Sequence, residues 1–259
     1  MFTAVLSTEF MKLRRCKVTW ATLGGLSMAP LGIALFMWIV REPGRAAELG
    51  LLGTKANLSG LEATWPSFFY MLTIIVGIGG MILLPFIMAY LFGREYEDET
   101  AKNMLALPVE RHWFVLAKLV VAFVWWLVLV FAVLAESFLI GSALGLPGFS
   151  APLALAAIGD AFAAAAISYL LAPIAAWITT LGRGQVGAIG FALLMLGLGN
   201  LFGKTGWAVW FPWSIVPLLV GMVGTPAEAM PAGSYVVLAL AFVAGVAGTI
   251  AQLRWADSG

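Results

Sequence analysis

Six runs of about 20 apolar residues, each long enough to cross a bilayer core of roughly 30 Å as a helix, constrain this chain more than any other feature. They lie at Trp20–Val40, Tyr70–Phe92, Leu119–Leu144, Ala161–Leu181, Val186–Phe202 and Tyr235–Leu253, with an earlier start near Leu153 open for the fourth. The chain is 62% hydrophobic and 10% charged, against roughly 25% charged residues in ordinary soluble domains. It cannot cover so much apolar surface in water, so lipid is its expected solvent. A further apolar stretch, Trp207–Val223, is interrupted by Pro212 and Pro217. It is expected to be an interfacial or re-entrant segment rather than a seventh span.

Lys and Arg placement orients the spans. With the amino terminus inside, ten basic residues fall on the cytoplasmic side: Lys12, Arg14, Arg15, Lys17, Arg94, Lys102, Arg111, Lys118, Arg183 and Arg254. Four fall outside, namely Arg41, Arg45, Lys55 and Lys204. Both termini are then cytoplasmic, and a seventh span would push Arg254 outward. The first apolar run is too long for a signal core and lacks a small-residue cleavage site, so it is expected to remain as an anchor.

Composition removes several function classes. A net charge of +1 leaves no basic face for nucleic acid. One cysteine, Cys16, and one histidine, His112, offer no disulfide and no metal-site spacing. No metal ligand set and no catalytic constellation are expected. Gly197–Thr205 ends in Gly-Lys-Thr, but its glycines do not have the four-residue spacing of a phosphate-binding loop.

The polar residues are concentrated. Gly93–Lys118 holds nine of the 27 charged residues, stranded between two apolar runs. A helix is expected over Glu97–Ala106, with Asp98 and Lys102 placed to pair at i,i+4. Pro108 should end it, leaving Met104, Leu105 and Leu107 as an apolar tip outside the membrane core and rimmed by charge, the pattern of a docking surface. A second short helix from Glu110, with Trp113 at headgroup level, should lead into the third span. A solvated loop whose leucines touch the bilayer is the plainer alternative.

Phe2–Lys17 reads as an amphipathic helix on the inner leaflet. Phe2, Leu6, Phe10, Leu13 and Cys16 form one apolar stripe, and Lys12, Arg14, Arg15 and Lys17 cluster where anionic headgroups attract them. Within the spans, Glu136 and Asp160 are the acids, both on outer halves, and Asn200 is a weaker polar candidate. An intramembrane acid is costly and calls for a functional reading, here a substrate path or a cationic ligand, beside a structural one in which it accepts a hydrogen bond or snorkels outward. Pro30, Pro85 and Pro173 are expected to kink their spans. Trp207, Trp210, Phe211 and Trp213 suit an outer aromatic belt, and Gly77, Gly79, Gly80 and Ala161–Ala166 permit close helix packing.

The run REYEDETAKNMLALPVERHWFVLAK resembles the first cytoplasmic loop of ABC-2 type permeases, nearest to the small bacterial group of bacitracin and lantibiotic-immunity permeases. The matching positions are Glu95, Tyr96, Glu97, Asp98, Thr100, Lys102, Asn103, Leu105, Leu107, Pro108, Arg111 and Lys118, with Glu99 where a glycine is common and Ala101 where a leucine is common. The Glu9–Arg15 segment, E-x-x-K-L-R-R, resembles the family's entry helix, and Phe211–Pro217 its extracytoplasmic segment before the last span. The resemblance implies one all-α polytopic membrane domain over residues 1–259. It would have six transmembrane helices, an interfacial helix at 1–18, a cytoplasmic coupling loop at 93–118 and an extracytoplasmic loop at 203–234. It implies that the loop, Met104 included, docks into a separate ATP-binding subunit. The working unit would contain two such subunits and two permease chains, identical or not, in the bacterial cytoplasmic membrane. ATP and Mg would sit on the partner, and this chain would bind no cofactor and catalyse no reaction.

These readings point to the permease subunit of an ATP-driven exporter for an amphipathic peptide antibiotic, drug or lipid. Two alternatives remain: an ion-coupled secondary transporter using Glu136 or Asp160 as proton carriers, and a non-transporting anchor or immunity protein. The secondary transporter would call for acids nearer the midplane and for repeat symmetry.

Overall fold

The computed structural model describes residues 2–51, 62–98, 100, 109–223 and 230–255. Among them there are nine helices and no strand: α1 (Phe2–Arg14), α2 (Lys17–Arg41), α3 (Pro43–Glu48), α4 (Trp65–Glu97), α5 (Arg111–Ala143), α6 (Ala151–Gly182), α7 (Gln185–Phe202), α8 (Pro212–Leu219) and α9 (Ala232–Trp255). Six of these, α2, α4, α5, α6, α7 and α9, are long and apolar enough to span a membrane. The expected all-α architecture with six spans holds. The 207–223 stretch supplies turns and the eight-residue α8, which at about 1.5 Å per residue is too short to cross.

Hydrogen bonds between chain ends show that the spans alternate in direction. Arg41 Nη1 donates to Leu144 O at 2.8 Å, and Trp65 N donates to Pro147 O at 3.0 Å, gathering the end of α2, the start of α4 and the end of α5. At the opposite end Arg111 Nη1 donates to Leu253 O and Arg254 O, and Gln185 Nε2 donates to Glu97 Oε2 at 2.7 Å. That end gathers α1, the end of α4, the start of α5, the α6–α7 turn and the end of α9.

The most extensive pairing is α4 with α6, followed by α6 with α9. It depends on small residues, as expected where lipid supplies no hydrophobic drive between helices. A Cβ on Gly80 would lie 2.8 Å from Ser168 Cβ and from Trp126, and one on Gly245 would lie 2.6 Å from the backbone of Pro173 and Ile174. Buried polar groups close their bonds between helices. Ser168 Oγ donates to Gly77 O at 3.0 Å, Trp126 Nε1 to Ala165 O at 3.1 Å and Tyr169 Oη to Leu119 O at 2.8 Å. Large apolar side chains such as Met28 on α2, Phe131 on α5, Leu193 on α7 and Val243 on α9 face outward, which hydrocarbon tolerates and water does not.

Several boundaries differ from expectation. The amphipathic helix stops at Arg14; Cys16 is the N-cap of α2, its Sγ accepting from Val18 N at 3.1 Å. Half of the polar island, residues 93–97 and 111–118, is helix. α4 continues through Arg94 to Glu97 and α5 begins at Arg111, so residues 93–97 and 111–118 are the ends of two 33-residue helices. Asp98 caps α4 rather than lying inside a new helix, and its carboxylate is 3.9 Å from Arg94 one turn back. No separate short helix starts at Glu110, which is the N-cap of α5. Likewise 203–234 includes α8 and the first turn of α9.

Candidate functional site

Helices of 33 residues run about 50 Å, some 20 Å more than a bilayer core requires. α4 and α5 are two such helices joined in sequence, so their shared end forms a stem under residues 98–110. Of the charged residues predicted for coupling, Glu95, Glu97, Asp98 and Arg111 lie on this stem.

Its centre is a group of four charges from three helices, three of them buried and the fourth, Lys12, half-buried at its edge. Lys118 on α5 points at α4, where its Nζ donates to Leu91 O at 2.6 Å and to Glu95 Oε1 at 2.8 Å. Glu9 of α1 closes the group, with Oε2 3.4 Å from Lys118 Nζ and Oε1 2.5 Å from Lys12 Nζ; Lys12 in turn lies 3.3 Å from Glu95 Oε1. Glu9, Glu95 and Lys118 are 3%, 6% and 3% exposed. Two carboxylates and two ammonium groups cancel, which makes burial of Glu9, Glu95 and Lys118 tolerable. Isolated, each would cost several kcal/mol. Burial on its own would push the Glu9 carboxyl up, but the Lys118 charge and the Lys12 hydrogen bond outweigh it and hold Glu9 below its ordinary value. Burial would push the Lys12 ammonium down, but its hydrogen bond and attraction to Glu9, with Glu95 behind, hold it above the ordinary lysine value.

Further bonds tie the stem on either side. Thr100 N donates to Glu95 O at 2.9 Å, continuing the chain from the α4 terminus. Glu97 accepts from Gln185 at the start of α7. Tyr96 is half-buried beside them. Arg111 places its guanidinium on the last carbonyls of α9, where the helix dipole concentrates negative charge. Arg94 Nη1 donates to Tyr90 Oη at 3.2 Å, and Cys16 Sγ meets the same hydroxyl at 2.9 Å. Lys102, Asn103, Met104, Leu105, Leu107 and Pro108 lie outside the described residues.

The amino-terminal helix is packed on protein more than the sequence suggests. Leu6, Phe10 and Leu13 rest against the core, and Phe2 meets the Trp113 ring at 5.2 Å between centroids. Lys12 is committed to the ion group, while Arg14, Arg15 and Lys17 remain exposed. Sequence reasoning missed the partnership of Glu9 with Lys118. The signal was present: Glu9 interrupts the stripe Phe2, Leu6, Leu13 at a core-facing position, which only a buried cation can offset.

The three residues proposed for a substrate path do not converge. Glu136 on α5 is half-buried against α2; its Oε1 accepts from Ser27 Oγ at 2.7 Å, while Oε2 is shielded with no partner among the described residues. Asp160 on α6 is exposed and lines a cleft against α4 and the end of α8, to which neither Glu136 nor Asn200 contributes. Asn200 is half-buried near the end of α7. Among the described residues no group of His, Cys, Asp and Glu could hold a metal ion.

The family profile described as ABC-2 family transporter protein matches residues 5–199. The chain is 30% identical over 192 residues to the bacitracin transport permease protein BCRB of Bacillus licheniformis, which covers 71% of this chain and 88% of that protein. No solved structure matches. The matched region contains all but the first three residues of α1, the ion group, both stem helices and α6. This chain therefore belongs to the ABC-2 transporter family, as a multi-pass permease of the bacterial cytoplasmic membrane.

Proposed function

We propose that this chain is the membrane subunit of an ATP-driven exporter whose ATPase is a separate chain that docks on residues 98–110. The observation that carries the reading is the ion group at the base of the segment, in which buried Glu9, Glu95 and Lys118 are joined by half-buried Lys12. A docking segment can drive a membrane domain only if its movement is not absorbed where it joins the spans. Here its two stems are clamped to each other and to α1, so a push on the segment moves α4 and α5 together. Through its contacts with α6, α4 passes that displacement to the centre of the bundle. The docking end faces the cytoplasm, and ATP and Mg are held by the partner. Two ATPase chains and two permease chains make the working unit, which moves an amphipathic peptide antibiotic, drug or lipid outward.

Co-purification tests the docking step. The native chain is expected to retain a co-expressed candidate ABC ATPase through affinity purification, and a chain carrying Leu105→Asp and Leu107→Asp to lose it. Retention of the ATPase by the variant at native stoichiometry would place docking elsewhere.

A second reading rests on Glu136, an intramembrane acid whose shielded Oε2 has no partner among the described residues. Transport that collapses with the proton gradient while ATP is held constant, and that Glu136→Gln abolishes, would favour ion coupling.

A further inference from the structure

Away from the stem, the face of α6 that carries Asp160 borders a cleft of about 340 Å³, within the size range of small-molecule sites. α4 contributes Phe69, Tyr70 and Thr73, α6 contributes Ala156, Asp160 and Ala163, and the end of α8 closes it near Gly221. Tyr70 Oη donates to Gly221 O at 3.0 Å and braces the wall. Gly221 has φ +71, so the turn that returns the chain to Tyr70 suits glycine. The cleft lies toward the end of the bundle opposite the stem. Asp160 sits about 14 Å along α6 from its first residue, and Ala156 and Ala163 beside it are small and exposed.

Among the described residues, Asp160 is the one acidic or basic residue lining this cleft. Among the described residues no donor or cation reaches its carboxylate, in contrast to Glu136, which accepts from Ser27. A carboxylate this far along a span is expensive unless a cation meets it. The wall around it is apolar on the α6 side and aromatic at Tyr70, the pairing that receives a quaternary ammonium group: a negative charge, a ring face and a greasy trough.

We propose that this cleft binds a cationic amphiphile, with Asp160 and the Tyr70 ring holding the cation and the Ala156 face of α6 holding the apolar chain. The proposal deepens the export reading by giving the substrate's charge, and it rests on that reading only in calling the ligand a substrate. Binding itself is independent of the ATPase.

The test uses the full chain in nanodiscs of uncharged phosphatidylcholine, with Cys16→Ser and a reporter cysteine at Ala163→Cys. Labelling of the reporter by a neutral maleimide is timed with dodecyltrimethylammonium, and with dodecyl maltoside as an uncharged control of equal chain length. The cationic amphiphile slows labelling and the uncharged one does not. Asp160→Asn, which alters no hydrogen bond among the described residues, weakens the protection about tenfold when protection is taken relative to that variant's own unprotected labelling rate, as loss of a charge contact would. Asp160→Glu retains most of it. Equal protection by the two amphiphiles, or protection that survives Asp160→Asn, overturns the proposal. Protection by charge with no ATPase coupling would keep the site and refute the export reading. Intact coupling without charge-dependent protection would do the reverse.

Discussion

Glu9 and Lys118 are 109 residues apart in sequence, yet they decide how the amino-terminal helix meets the spans. Removing one member of a buried ion group leaves its partners uncompensated, a loss of about 3–5 kcal/mol, whereas replacing opposite charges together by apolar groups is often close to neutral. Lys118→Met is therefore expected to lower the thermal midpoint of the detergent-solubilised chain sharply, and Lys118→Met with Glu95→Leu to recover much of it. A double variant as unstable as the sum of its singles would mean that the contact contributes nothing. The same melts taken against pH report on Glu9. Its carboxyl titrates below the usual 4.5 in the folded chain, so its stabilisation is complete above that value and fades as pH falls through the lowered one. The stability gap between the native chain and Glu9→Gln should narrow in that acid range. Lys12, raised above 10.5, contributes in full below that value and loses its contribution as pH rises from there through the raised value. Individual charges were legible in the sequence. Their pairing was not, because it depends on how α4 and α5 align across a connection that hydropathy does not register.

Among the elements, the apolar runs located every span but undershot most ends. Hydropathy finds the lipid-facing length, while a helix continues for as long as its backbone bonds are worth making. α4 therefore begins at Trp65 with Pro66 in its first turn and ends on Arg94–Glu97. α6 begins at Ala151, where Ser150 Oγ accepts from Leu153 N at 3.3 Å and Pro152 occupies the first turn. That Ser-Ala-Pro sequence was a readable start signal. The glycines were legible as packing residues, though not their partners. Gly245 faces the α6 backbone at Pro173, which cannot withdraw as a side-chain tip can. Gly245→Val should destabilise the chain by about 1–3 kcal/mol or more, the usual range for overpacking. A melting point unchanged from Gly245→Ala to Gly245→Val would show that α9 sits farther from α6 than described.

For the molecule as a whole, the six-span architecture follows from composition and run length. The candidate site follows only in part, since the ion group and the Asp160 cleft arise from helices brought together by packing. The bundle has a charged, clamped end and an opposite end lined with aromatic residues and the Asp160 cleft, separated by the length of the spans. Such a division suits a subunit that receives force at one end and handles its ligand toward the other. Coupling of a separate ATPase to this chain through the stem is tested most directly by the ATP hydrolysis rate of a candidate ATPase with and without this chain in nanodiscs, using the native chain and the Leu105→Asp, Leu107→Asp variant. The rate is expected to change when the native chain is present and to return to the isolated value with the variant. A rate indifferent to the chain would contradict the coupling.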